Sequence, residues 1–262
     1  IFEMALLTNE DIHFFKSEGY LIKRGILDPN RMEQAREAFW QAAPSEIDRN
    51  VPETWARELP NREAPPNSMG GHVWKYRELG NKDWMIQLLP SNPKVWSMAE
   101  QLLGEGTLCS PDRLRGIYAT FPKGEEPFET PTCHCEGHPF HLGVVGYIDN
   151  VYPHGGGLKV WPGSHRSFYY AFKGRYATER DHRYDDNTEH FNQQPYVDFY
   201  GDAGDIIFWH HRLAHSGGHN HSRKIRLAVF YDFIKKDIGA KLNVPPAEDM
   251  WEDWSEEVLN CE

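Results

Sequence analysis

Six short segments in the second half of the chain set the terms for its fold. They read RLRGIYATF, LGVVGYIDNV, GLKVWPG, YVDFYG, DIIFWHH and IRLAVFYDF, beginning at Arg113. Each is rich in β-branched and aromatic residues and is bounded by Gly, Pro or Asp, the pattern of strands separated by turns. The chain ahead of them reads as helices. In LTNEDIHFFKSEG, Thr8 is placed to cap a helix that Gly19 ends, and YLIKRG follows as a short strand. DPNRMEQAREAFWQAA has Pro29 near its start and Met32, Ala35 and Phe39 on one side. SNPKVWSMAEQLLG is a third helix, entered through Asn92 and closed at Gly104. Helices first and strands afterwards predict a mainly β domain, a sandwich or barrel carrying a helical layer. One domain over residues 1–262 is expected, with a helical, loop-rich part (1–105), a β core (106–235) and an acidic tail (236–262) that places Trp251 and Trp254 inward on a surface helix. The stretch 44–71, rich in Pro, Asn and charge, reads as a lid or binding loop.

Charge and composition narrow the partners. The 28 Lys and Arg against 39 Asp and Glu give a net charge of -11, which argues against nucleic acid. No apolar run approaches the ~18 residues of a membrane span, and the N-terminal stretch lacks a signal-peptide pattern. Four cysteines are too few for a disulfide scaffold, so the chain reads as cytoplasmic with reduced thiols. The oligomeric state stays open.

Histidine is the informative residue. Of fourteen, twelve lie between 134 and 221. In TPTCHCEGHPFHLGVV, His134 and Glu136 are two apart, so on an extended strand both face one way and could chelate one ion; they could equally be a solvated loop pair. Cys133 and Cys135 would then face the other way, as small buried residues or, failing that, zinc ligands. In GDAGDIIFWHHRLAHSGG an apolar strand ends in His210 and His211, and His215 precedes a Ser-Gly-Gly turn; it could supply a third ligand from a distant strand. Arg226 opens the strand IRLAVFYDF, where it either pairs with a surface acid or receives an anion. His138 and His141 either line a pocket or pack; His165 reads as structural; His219 and His221 read as solvent-exposed. Arg166, Lys173 and Arg175 belong to a long segment that is either a solvated insertion or a contact for an anionic substrate group.

Taken together, GYIDNVYPHGGGLKVWPGSHR and GDAGDIIFWHHRLAHSGGHNHSRKIR resemble the phytanoyl-CoA dioxygenase family of Fe(II)- and 2-oxoglutarate-dependent oxygenases, and LTNEDIHFFKSEGYLIKRGIL resembles that family's opening helix and strand. The resemblance implies a double-stranded β-helix, or jelly roll, with helices outside. It implies His134, Glu136 and His215 as metal ligands and Arg226, eleven positions after His215, as the grip on the far carboxylate of 2-oxoglutarate. Tyr118 and Thr132 become candidate contacts for that co-substrate. The expected reaction consumes O2 and 2-oxoglutarate, releases succinate and CO2, and hydroxylates a small molecule. The family usually has Asp where Glu136 stands, one methylene shorter. Two rivals follow from the same residues: a cupin-type metalloenzyme that does not use 2-oxoglutarate, and a jelly-roll binding protein whose site has decayed.

Overall fold

The computed structural model describes residues 6–58 and 70–262. The middle of the 44–71 excursion, residues 59–69, therefore lies outside the described residues. In chain order the elements are α1 (Asn9–Glu18), β1 (Tyr20–Lys23), α2 (Pro29–Ala42), β2 (Val73–Tyr76), α3 (Asp83–Leu88), α4 (Pro93–Leu103), β3 (Ile117–Thr120), β4 (Leu142–Tyr147), β5 (Leu158–Val160), α5 (His165–Tyr169), α6 (Arg183–Asn192), β6 (Val197–Asp198), β7 (Ile206–His210), β8 (His215–Gly217), β9 (Arg226–Phe233), α7 (Ile238–Lys241) and α8 (Glu256–Asn260). Short 3-10 turns at Pro52–Thr54 and Gly70–His72 flank the undescribed stretch.

The strands form two facing antiparallel sheets. The larger has the order β1-β7-β4-β9-β3-β2 and the smaller the order β6-β5-β8. A reciprocal backbone bridge between His134 and His215 adds one more rung to the small sheet. This is a jelly roll with a helical layer on the outside of the large sheet. The central strands are buried on both faces, and the alternation sorts their side chains. Ile206 and Phe208 of β7, Val144 of β4 and Leu227, Val229 and Tyr231 of β9 join the core shared with α1 to α4. Ile207, Trp209, Val145, Tyr147, Ala228 and Phe230 point the other way, into the space between the sheets. Gly143 is required there: it pairs with Trp209, and a Cβ on it would lie 2.2 Å from the indole.

Local chemistry sets the helix ends. Thr8 Oγ1 accepts from Asp11 N while Asp11 Oδ2 accepts from Thr8 N, a reciprocal cap, and Gly19 ends α1 at φ +81°. Asp28 and Asn92 cap α2 and α4 through their side-chain oxygens. Ile12 and Phe15 of α1 reach the core, with Phe15 against Trp251 and Trp254.

The structure corrects the simple order of helices then strands. β1 and β2 come early in the chain yet form the two edges of the large sheet, and α5 and α6 interrupt the β region. The Ser-Gly pair after His215 is strand, not turn. The buried Trp251 and Trp254 sit in a turn between the two short helices of the tail, Ile238–Lys241 and Glu256–Asn260.

Candidate active site

Turn chemistry delivers the site residues. Asp205 is buried and holds the approach to β7, accepting from Arg24 Nη1 (2.6 Å), Gly25 N (2.9 Å) and Asp202 N (3.0 Å). Ser164 donates to Trp161 O (2.6 Å) and accepts from Ala214 N (2.9 Å), tying the end of β5 to the residue before His215. Asn220 ties the turn from β8 to β9 by donating to Thr120 O (2.8 Å) and Lys224 O (2.7 Å). The segment carrying His134 is held from behind by α6: Cys133 N donates to Asn192 Oδ1 (2.7 Å) and Cys135 N to Tyr184 Oη (3.0 Å).

His134, Glu136 and His215 converge, their ligand atoms all within 4.8 Å of one another, and could hold a metal ion. The Cys133 and Cys135 side chains are buried on the opposite face among Trp161, Phe168 and Tyr184, with no further cysteine beside them among the described residues. Burial pushes both thiols up, so they stay protonated and are poor zinc ligands. His215 Nδ1 lies 2.8 Å from Leu213 O, which assigns the proton to Nδ1 and leaves Nε2, 3.5 Å from Glu136 Oε1, as the free ligand nitrogen. Burial, and then the neighbouring His215, push His134 down to about 4, so it is neutral at pH 7 as a ligand must be. Burial disfavours ionised Glu136, but His215, when its Nε2 carries a proton in place of a metal, and then Arg115 outweigh it and hold the carboxyl well below its usual range.

These residues line a cavity of about 840 Å³ between the sheets. The six residues expected to hold the metal and 2-oxoglutarate face it: His134, Glu136, His215, Arg226, Tyr118 and Thr132. Val145, Leu158, Trp209 and Phe230 supply its apolar wall. Arg226 is 4% exposed; its Nε donates to Gly156 O (2.9 Å) and its Nη1 to Tyr118 O (3.3 Å). It forms no ion pair among the described residues, and burial alone drives its pKa downward.

Some of the site had no linear signal. Arg115 lies beside Glu136, donating from Nη1 to Oε1 (3.2 Å), and is itself forked onto Asp232 through Nε (2.9 Å) and Nη2 (2.8 Å). His138 Nε2 lies 3.0 Å from the same Asp232. Asp232 and Glu136 overcome burial and hold the Arg115 guanidinium firmly charged. Other expectations are corrected. His219 is half-buried, faces the cavity and pairs with Glu129 Oε2 (2.8 Å). Arg175 pairs with Asp253 (3.0 Å) and Lys173 with Glu179, both away from the cavity. His141, His165, His210 and His211 are buried behind the site and do not line it.

A jelly roll with two histidines and a carboxylate gathered at one mouth defines a class of mononuclear metalloprotein. The phytanoyl-CoA dioxygenase (PhyH) model matches residues 15–228, and the chain belongs to that family. No curated protein sequence matches. Among solved structures, the non-heme alpha ketoglutarate dependent carbocyclase SnoK from nogalamycin biosynthesis aligns at TM-score 0.55 and 17% identity, over 93% of this chain and 95% of its own. EctD from S. alaskensis with bound Fe aligns at TM-score 0.59 and 18% identity, over 94% and 82%. HygX from Streptomyces hygroscopicus, bound to nickel, 2-oxoglutarate and hygromycin B, aligns at 0.53 and 13%, over 88% of both chains. At these identities the likeness concerns the fold.

Proposed function

We propose that the chain is an Fe(II)- and 2-oxoglutarate-dependent oxygenase that hydroxylates a small molecule. The observation that carries this is Arg226: a buried guanidinium on the wall of the triad's own cavity, with no carboxylate partner among the described residues. A buried cation without a counter-ion is costly, and a dicarboxylate that spans from metal to Arg226 removes that cost. The family supports the same reading, as do structural neighbours solved with iron, or with 2-oxoglutarate.

His134, Glu136 and His215 would hold the metal. Iron with 2-oxoglutarate supplies O2 activation coupled to decarboxylation, giving succinate, CO2 and an oxidised substrate. Arg226 grips the far carboxylate through its remaining donors, and Tyr118 and Thr132 offer hydroxyls to the co-substrate. Trp209 and Phe230 keep the wall dry, which strengthens each of these polar contacts. The Leu213 carbonyl keeps His215 in its ligand tautomer.

The test is anaerobic addition of Fe(II) and 2-oxoglutarate, read as a visible charge-transfer band. The band is expected in the natural protein and lost in His215→Ala. In Arg226→Ala the dissociation constant for 2-oxoglutarate should rise ~30-fold or more, the scale for losing a buried charge pair. Metal binding without a band would turn the assignment to a cupin-type enzyme that needs no 2-oxoglutarate. Failure to bind metal would mark a decayed site. Retention of an ¹⁸O atom from O2 in the product separates hydroxylation from other oxidative outcomes.

A further inference from the structure

The chain that leads from β3 to His134 passes the cavity mouth as a strap. Residues 124–132 hold neither helix nor strand, and all but Pro131 are exposed. Among the described residues their backbone makes a single backbone hydrogen bond, from Glu126 N to Lys123 O at 3.4 Å. Both ends are fixed. Phe121 N donates to His72 O (2.7 Å) and Lys123 N to Asn220 O (2.8 Å), while Cys133 N donates to Asn192 Oδ1 (2.7 Å). Gly124 follows the first anchor at φ +68°, where glycine turns the chain without strain. Glu129, Thr130, Pro131 and Thr132 form part of the cavity wall.

Two side chains hold this strap in place. Phe128 is 54% exposed and lies outside the cavity, its ring 5.4 Å from that of His154 and 5.1 Å from that of His221. Glu129 is tied by Oε1 to Lys123 Nζ (2.6 Å) and by Oε2 to His219 Nε2 (2.8 Å). Lys123 is buried. Burial disfavours its charge, and the hydrogen bonds to Glu129 and Glu126 outweigh burial. A segment with so few backbone bonds and so little buried apolar surface opens at a small fraction of the cost of unfolding the domain. Its position therefore rests on these two contacts.

We propose that the strap is a gate on the cavity. It swings out between its two fixed ends when Phe128 leaves the two imidazoles and Glu129 leaves Lys123 and His219, and ligands enter and leave through the gap. Thr132 rides on the strap, so its return restores the hydroxyl assigned above to the co-substrate. This rests on the preceding reading of the cavity as the site of 2-oxoglutarate. It makes ligand exchange depend on Phe128, a side chain that lines no part of the cavity.

Phe128→Ala is the decisive variant, because the ring is too exposed to carry the fold. Anaerobic stopped-flow mixing of the Fe(II) protein with 2-oxoglutarate, followed through the charge-transfer band, gives the association and dissociation rates. Both should rise ~5-fold in Phe128→Ala, the scale of an aromatic contact, with the dissociation constant unchanged. Glu129→Gln should raise both ~10-fold through loss of a charged hydrogen bond. A rise in the dissociation rate alone would make the strap a fixed binding wall, and unchanged rates would leave it no gating role; either result overturns the proposal. A second reading needs no metal. Trypsin reaches the Lys123–Gly124 bond only when the strap has opened, so the initial rate of that cut, identified by fragment mass, tracks the open population. The cut should accelerate by the same factors in both variants at an unchanged urea midpoint, and a cut that does not accelerate overturns the gate. If the charge-transfer band never forms, the co-substrate assignment fails by itself, and the tryptic cut decides the gate.

Discussion

Glu136 is one methylene longer than the aspartate usual at its position, and Arg115 is the residue that answers the extra length. The guanidinium is pinned by its fork on Asp232 and touches Glu136 Oε1, so it steers a carboxylate that has one more rotatable bond to lose. Arg115→Ala should therefore weaken Mn(II) binding by ~10- to 100-fold, the range seen when a partner of a metal ligand is removed. In a Glu136→Asp background the shorter carboxylate is withdrawn from Arg115, and the loss should shrink. A double-mutant cycle on Mn(II) affinity measures the coupling, and strictly additive effects would refute it. The His134, Glu136 and His215 group was legible only through the family resemblance: spacing put two of its members on one strand face and the third five residues beyond the end of an apolar strand. Arg115 and Asp232 were not, and His138 was read only as lining a pocket or packing, because the three come from separate segments and meet only when β9 lies beside β3 and the His134 segment closes over both.

At the scale of elements, the strands buried on both faces announced themselves by continuous apolar runs, and β2 did not. Its outer face, Trp74 and Tyr76, packs on the helical layer, while its inner positions, Val73 and Lys75, face the cavity. A strand lining a polar cavity has no simple apolar alternation to find. The acidic stretch of α6 was hidden for a related reason. Its composition is that of a solvated helix, yet Tyr184 and Asn192 brace the backbone on either side of His134. Tyr184→Phe removes one hydrogen bond from that brace and leaves Cys135 N unpaired. It should cost about 1–2 kcal/mol in urea unfolding. It should also loosen Mn(II) binding, whereas a change in α2 that destabilises at least as much, such as Met32→Ala, should leave metal affinity unchanged. Equal effects of the two variants on metal binding would show that α6 contributes stability alone.

Eight of the fourteen histidines of the molecule divide between two places, and the second group has a consequence for acid stability. His134, His138, His215 and His219 face the cavity. His141, His165, His210 and His211 fill the space behind it, with His210 stacked on Trp254 at 5.1 Å and His141 against Tyr176 at 4.2 Å. Burial pushes His141 and His165 down to about 3, and it drives His210 and His211 well below their usual value. In the unfolded chain each titrates near 6.5. Below that pH the unfolded state binds protons that the folded state refuses, so the stability these four groups confer is present above about pH 6.5 and is lost as pH falls towards their folded values. Each contributes a slope of about 1.4 kcal/mol per pH unit while its own window lasts. Against a typical stability of about 5–15 kcal/mol, slopes of this size acting together bring on acid unfolding before the depressed carboxylates such as Asp253 have all titrated. Urea unfolding at pH 7, 6 and 5 should show stability falling steeply between the last two. His165→Gln, which keeps a donor for Lys16 O, should flatten the slope by about one proton whatever its effect at pH 7. A stability that is level from pH 6.5 to 4.5 would mean that water or a counter-ion reaches these rings, and that the layer behind the site is looser than its packing implies.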